Sequence, residues 1–546
     1  MKTAKKTFAA LAAAFLCACA PEKSFEAQAE NMFVITEDCS QAFMVCEPDE
    51  KSVRAYVAKF PNGALTHVFL CPTAMRLSYK SQVWESVWDE IDASIPPVIP
   101  PKSAPQYADW QVKAKKLFEQ GINPYSVWVE ECRKKNISPW FSLRMNDVHD
   151  ITNWNATLTS NFWRKNPQLW RYPYEKKPKE WVDLAFDYSH KPVRDRIIAL
   201  VDEVLRMYDI DGVELDWQRF GVHLRAGREA ADAHFITEVV ERTRALADKY
   251  GKMRGKKIGV GARVPQTSEY SLSVGLDAVS WAKRGLVDII APAPFFGSTD
   301  FRICADEWRK AIGKDAARRV VILPNCEMFA VPRFGEPVRH VPLDLPMFDA
   351  WACCMYYGGA DSLCAFNQFL CGEIMKLACA RGVSPKICAD APRRHPLSFR
   401  VRLKPDKVLP SLGRDELVQL SGKPAADVSV DINCGIMPSQ ERKIRVVAVF
   451  DSPPDASAQV RLNGAAPLSR STEILDENGV YSFFNGRLHS FKAKRPYPPW
   501  RPLEGSAHVS FEFPYSALKA GLNNVKISQK QVAPAKVRWV EIDITP

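Results

Sequence analysis

The run DGVELDW, Asp211 to Trp217, sets Glu214 and Asp216 two residues apart between Val213, Leu215 and Trp217. Side chains alternate along a strand, so both carboxylates fall on one face and the three apolar residues on the other. Two carboxylates can share acid work and nucleophile or base work, which is what cleavage of a glycosidic bond asks for. Neighbouring carboxylates on one strand are seldom the whole pair, so a partner on another strand is expected. Glu327, in LPNCEMF, is the leading partner, and Asp147, in RMNDVHD, is the second. The catalytic candidates are thus Asp216 and Glu327, followed by Glu214 and Asp147. A structural reading stands beside each. Glu214 could belong to a salt-bridged plug that sets strand geometry, and Glu327 could be an ordinary loop carboxylate.

A buried carboxylate without a counter-charge is very costly. The sequence offers Arg144 and Arg263, each near the end of a strand that would flank the one carrying Asp216. A charge cluster across three adjacent strands follows from that placement. Asn146 and His149 share the RMNDVHD run, and Asn325 and Asn367 close later strands. All four suit sugar hydroxyls, although His149 could equally brace its own loop. Trp217 could stack on a sugar ring or fill the core. The substrate-binding candidates are Arg144, Asn146, His149, Arg263, Asn325, Asn367 and Trp217. Two inward arginines and a net charge of +11 point toward an acidic polysaccharide.

The elements that must position these residues are eight short apolar runs. They are MFVIT, THVFLCP, SPWFSLR, GVELDW, IGVGARV, VDIIAPA, RVVILPNC and SLCAFN. Near-continuous apolar runs are typical of parallel strands covered on both faces. Helical stripes lie between them. In KPVRDRIIALVDEVLRMYD the apolar positions Val193, Ile197, Leu200, Val201, Val204 and Leu205 recur at helical spacing. The stretch from Ala231 repeats that pattern toward a C-cap at Gly251. Eight alternating strands and helices predict an α/β fold, a (β/α)8 TIM barrel over residues 24–390. From Arg393 onward the periodicity changes to two. FRVRLKP, DVSVDINC, IRVVAVF, HVSFEFP and VRWVEIDI alternate apolar and polar residues, predicting a C-terminal antiparallel β-sandwich domain over residues 396–546.

The N-terminus reads as a targeting segment. Lys2, Lys5 and Lys6 precede the short apolar run TFAALAAAFLCAC. LCAC has the form of a lipoprotein box, so residues 1–18 are expected to be a signal peptide and Cys19 the lipidated residue. This predicts an exported protein, periplasmic or on the cell surface, held to the membrane through a lipid anchor only. The cationic residues are scattered and form no stripe with interleaved aromatics, so nucleic acid is not an expected partner. No CxxC pair has a matching second pair, so neither a metal site nor a cofactor is expected. The vicinal Cys353 and Cys354 read as helix packing.

The runs SLRMNDVHD, DYSHKPVRDRIIALVDEVLRMYDIDGVELDWQRF, GVGARVP, GLDAVSWAKRGLVDII and GGADSLCAFN together resemble the bacterial family-10 glycosylhydrolase-like group. The resemblance covers about Met32 to Leu370. It implies an exported TIM-barrel glycosidase acting on a polysaccharide or oligosaccharide. DGVELDWQ also resembles the chitinase-type signature, in which a catalytic acid stands where this chain has Gln218. An amide cannot donate a proton as a carboxylic acid does. That departure argues against chitinase-type substrate-assisted catalysis. It keeps a second function open, a non-catalytic glycan-binding surface lipoprotein.

Overall fold

The computed structural model describes residues 32–38, 40–58, 60–103, 108–171, 181–295, 298–331, 341–367, 372–398, 401–403, 412–414, 427–454, 458–474, 507–529, 535 and 537–546. The expected signal peptide and Cys19 lie outside the described residues.

Six parallel strands open the fold: β1 (Phe33–Glu37), β2 (His67–Leu70), β3 (Ser138–Arg144), β4 (Gly212–Asp216), β5 (Gly259–Val264) and β6 (Ile289–Pro292). Nearly every residue in them is buried, because the sheet is covered on both faces. Two short segments follow, β7 (Val321–Ile322) and β8 (Asn325–Cys326), and later the strand Leu363–Phe366. The pairing order is β7, β6, β5, β4, β3, β2, β1, Leu363–Phe366, β8. The two ends of that order are one stretch of chain. Leu323 N–H still donates to Ile290 O at 2.8 Å, while Cys364 N–H already donates to Pro324 O at 2.9 Å. The sheet therefore curls until its seventh run touches both neighbours. Pro324 has no N–H to give, which explains why the expected strand RVVILPNC splits into two short ladders.

Helices cover the outside. Lys191–Met207 buries the predicted stripe and packs against Glu229–Arg254. The second helix runs through Gly251, where a C-cap was expected, and ends at Gly255 with φ 66°. Only Gly255 has the left-handed backbone that a C-cap needs. Gly251 serves close approach instead, since a Cβ there would sit 2.7 Å from Lys256 O.

The C-terminal part is antiparallel. A five-stranded sheet has the order Arg393–Pro396, Val537–Thr545, Lys443–Phe450, Ala507–Phe513, Ser469–Ile474. A three-stranded sheet has the order Asp427–Asn433, Leu522–Ser528, Gln459–Leu462. Ile444, Val446, Val509 and Ile542 of the first form one buried cluster with Val428, Val460, Val525 and Ile527 of the second. On the other face, Val449 and Trp539 join the core of the parallel sheet. The junction lies on the helix Leu345–Tyr357, whose buried Cys353 and Cys354 are packing residues as expected. Burial pushes the Cys353 thiol up to about 12. Arg394 ties the two parts together, reaching Asp344 at 2.5 Å and Glu541 at 2.8 Å.

Candidate active site

Strand register decides which side chains can meet. Arg144, Asp216 and Arg263 stand side by side on β3, β4 and β5, and Ser142, Glu214 and Gly261 form the row beneath. These rows lie at the C-terminal edge of the parallel sheet, where folds of this kind keep their sites. Asp38 follows β1, Glu327 follows β8 and Asn367 follows Leu363–Phe366 at the same edge.

Arg263 is the hub of the first cluster. Its Nη1 donates to Asp216 Oδ1 and its Nη2 to Glu327 Oε1, both at 3.0 Å, while Nε donates to Asn325 Oδ1 at 3.2 Å. The guanidinium lies over the Phe366 ring, 3.7 Å from its centroid. All three of its polar partners are buried. Asp216 Oδ1 also accepts the backbone N–H groups of Gln218 at 3.0 Å and Arg219 at 3.1 Å. Its second oxygen, Oδ2, is buried without a hydrogen-bond partner. Glu327 is fixed at its backbone. Its N–H donates to Thr299 Oγ1 at 3.2 Å, and the Thr299 hydroxyl donates to Glu327 O at 2.8 Å. Burial raises the Glu327 carboxyl above the ordinary range, against the pull of Arg263 and Arg219.

Glu214 sits one row deeper and is fully buried. Ser142 Oγ donates to its Oε2 at 2.6 Å, and Oε1 has no partner. Burial, reinforced by the neighbouring Asp216, pushes its carboxyl up to about 8 from an ordinary 4.5. Burial thus favours the protonated form of Glu214 at neutral pH. Between pH 4.5 and 8 the unfolded chain gives up this proton while the folded chain keeps it, so stability falls as pH rises. Glu214→Gln keeps the Ser142 bond and removes the titration. The variant should gain on wild type across that window, by on the order of 3 kcal/mol at its upper end. Thermal unfolding at pH 4.5 and pH 8 measures this. An equal difference at both pH values would mean that Glu214 folds as a carboxylate.

Arg144 builds a second cluster. Its Nη2 donates to Asp38 Oδ2 at 2.5 Å and its Nη1 to Asp147 Oδ2 at 3.1 Å. Burial alone would raise Asp147, but the hydrogen bonds from His149 and the charge of Arg144 hold it well below the usual carboxylate range. Asp38 is likewise held low by Arg144 and Arg219 against burial. His149 Nδ1 lies 2.7 Å from Asp147 Oδ1, and its Nε2 lies 3.2 Å from Arg219 Nη2. The three-strand charge cluster expected from the sequence is thus two clusters. Arg263 serves Asp216, Arg144 turns to Asp38 and Asp147, and Arg219 stands between them.

The remaining candidates spread out. Asn325 is spent inside the first cluster, accepting from Arg263 and donating to Leu323 O at 2.8 Å. Asn367 donates to Asp38 Oδ2 at 3.2 Å. Asn146 is a brace: its amide donates to Phe186 O and Val222 O, and its oxygen accepts Phe186 N–H. Trp217 turns outward and is fully buried among Tyr188, His223 and Trp281. Of its two readings, sugar platform and core, this position fits the core, because the alternation that aims Asp216 inward aims Trp217 at the helices. Asp38, Ser142, Arg219 and Thr299 were not anticipated. Asp38 carries the same signal as the others, a charged residue directly after a strand, but it closes the first run rather than a central one. Among the described residues, no group of three His, Cys, Asp or Glu side chains is arranged to hold a metal ion, and no helix is long and apolar enough to cross a membrane.

No protein-family model matches the chain, and no curated protein matches it. Solved structures do. An alpha-L-fucosidase isoenzyme 2 from Paenibacillus thiaminolyticus is 11% identical with a TM-score of 0.37, over 64% of this chain and 49% of that one. A GH36 alpha-galactosidase from Geobacillus stearothermophilus in complex with raffinose is 12% identical with a TM-score of 0.36, over 96% of this chain and 57% of that one. A maltogenic alpha-amylase from Thermotoga neapolitana is 11% identical with a TM-score of 0.36, over 90% and 98%. The chain spans about half the length of the first two. With TM-scores this low, the functional reading rests on the geometry of the site itself.

Proposed function

We propose that the chain is a glycoside hydrolase whose carboxylate pair is Asp216 and Glu327. One observation carries the reading: a single buried guanidinium holds an oxygen of each, one from the end of β4 and one from just past β8. Two 3.0 Å bonds to one planar fork bring those oxygens to within about 8 Å of each other. That limit admits both the ~5 Å separation of a retaining pair and the shorter part of the ~6.5–9.5 Å inverting range. Three N–H donors converge on Asp216 Oδ1, which must therefore present a bare oxygen. Asp216 is the nucleophile or base, and Glu327, raised by burial, is the acid. The Glu327 proton passes to the leaving glycosidic oxygen while Asp216 attacks the anomeric carbon or takes a proton from water. On this reading the curled sheet and its helices are a (β/α)8 TIM barrel of the family-10 glycosylhydrolase-like kind over residues 24–390, with a sandwich domain over residues 396–546.

Arg144 and Arg263 each lie between two carboxylates. Their presence is explained without an anionic sugar, which leaves the net charge of +11 as the support for an acidic polysaccharide. The substrate class proposed is a polysaccharide or oligosaccharide. A second reading, a glycan-binding protein without turnover, is favoured by Gln218. Its amide is tied to Ala293 O at 3.1 Å, and it occupies the acid's place in the chitinase-type signature. Reducing-end release from a panel of neutral and anionic glycans separates the two. Turnover by wild type that is lost in Asp216→Asn supports the hydrolase. Glycan retention with no turnover supports the binder.

The N-terminal run makes export and anchoring through Cys19 part of the proposal. Cys19→Ala should abolish incorporation of labelled fatty acid and release the protein from the membrane fraction. Labelling that survives the substitution would remove the anchor from this reading.

A further inference from the structure

Asp147, His149 and Arg219 form a hydrogen-bonded chain beside the carboxylate pair. Asp147 Oδ1 accepts the His149 backbone N–H at 3.0 Å and faces His149 Nδ1 at 2.7 Å. The other ring nitrogen, Nε2, faces Arg219 Nη2 at 3.2 Å. The partners determine the state of the ring between them. An ionised carboxylate only accepts, so Nδ1 must carry a proton. A guanidinium only donates, so Nε2 must be bare. Two independent contacts therefore select one species, the neutral imidazole protonated on Nδ1.

The far end of this chain reaches the reacting pair. The Arg219 backbone N–H is bonded to Asp216 Oδ1 at 3.1 Å, and its guanidinium lowers the proton affinity of Glu327. We propose that His149, braced by Asp147, is a positioning residue that holds Arg219 beside Glu327, and that it does so only as the neutral Nδ1–H tautomer. The kinetic consequence rests on Glu327 being the acid; the tautomer does not.

The charged groups around the ring come from four places. Asp38 follows β1, Arg144 and Asp147 come from the end of β3 with Asp150 next along the chain, Arg219 follows β4, and Glu327, after β8, is near enough to Arg219 to interact with its charge. The Phe220 ring packs against the imidazole at 5.0 Å between centroids. A second proton on His149 would set Nε2–H against the Arg219 N–H and add a positive charge next to Arg219 and Arg144. Arg219 would then release the ring. Glu327 would lose a cationic neighbour and hold its proton more tightly.

The test has a spectroscopic arm and a kinetic arm, both on the full chain. Imidazole 15N shifts in histidine-labelled protein, with His149→Gln for assignment, should show a bare Nε2 and a protonated Nδ1 at neutral pH. An Nε2–H tautomer or an imidazolium there would overturn the proposal. In the kinetic arm, His149→Ala should lower kcat/KM about tenfold, the size of one charge-assisted hydrogen bond. It should also move the alkaline limb of the pH profile upward by roughly half a unit or more. His149→Gln can donate to Asp147 and accept from Arg219, so it should restore the limb and most of the rate. A loss of rate with the limb unmoved, or a glutamine variant as poor as alanine, makes His149 a mere brace and overturns the proposal. If Glu327→Gln leaves the alkaline limb in place, the acid assignment fails, and the 15N result alone decides the tautomer.

Discussion

Arg263→Met is expected to lose turnover and on the order of 3–5 kcal/mol of stability at pH 7, the usual range for removing one partner of a buried ion pair. The substitution fills the volume above Phe366 but leaves Asp216 and Glu327 buried without their shared cation. Desolvation then penalises the ionised form of both carboxyls relative to the neutral form. Such groups cost stability progressively as pH rises from the unfolded carboxylate range, so the deficit of the variant should be smallest near pH 4 and grow toward pH 7. Denaturant unfolding at both pH values measures this. Combining Arg263→Met with Asp216→Asn and Glu327→Gln removes the stranded charges and should recover most of the stability with none of the activity. A deficit that is flat in pH and unrelieved in the triple variant would mean that Arg263 acts by packing, not by charge.

Asp216→Asn and Glu327→Gln should each lower kcat/KM on a natural glycan by on the order of 10³-fold, within the range for a positioned acid or base. Their substrate dependence should differ. An aryl glycoside with a strongly activated leaving group needs no proton at departure, so Glu327→Gln should keep much of its activity on it. Asp216→Asn removes the group that attacks or activates water and should be poor on both substrates. The opposite pattern would exchange the two roles. Equal loss on both substrates in both variants would leave Glu327 without an acid's signature. The Arg263 fork supplies a control, because each amide retains an oxygen that can accept one of its N–H bonds, so both variants should remain folded.

Much of this site is legible in the residue order. Alternation along DGVELDW puts Glu214 and Asp216 on one face, and the order of the apolar runs makes the strands of Arg144 and Arg263 their neighbours. Glu327 was reachable because it directly follows a strand, and parallel strands present their C-terminal ends at one edge. Other features were not legible. Trp217 reads as platform or core by residue type, and its burial among Tyr188, His223 and Trp281 is what favours the core. Gly251 and Gly255 are equivalent as letters, and only φ tells the cap from the close approach. Asp38 and Arg219 lie next to recognisable runs, yet nothing in their spacing says that they face the same imidazole.

Residue order is enough to set the face of each strand residue and the neighbours of each strand, because periodicity and parallel pairing are local properties of the backbone. Which cation serves which carboxylate is a matter of the packed fold. Arg144 and Arg263 stand in the same row beside Asp216, and each has a long side chain able to reach several acids. Arg263 joins Asp216 to Glu327, and Arg144 joins Asp38 to Asp147. That division depends on where the chain ends of distant strands bring Asp38 and Glu327 in space, a distance no spacing along the chain encodes.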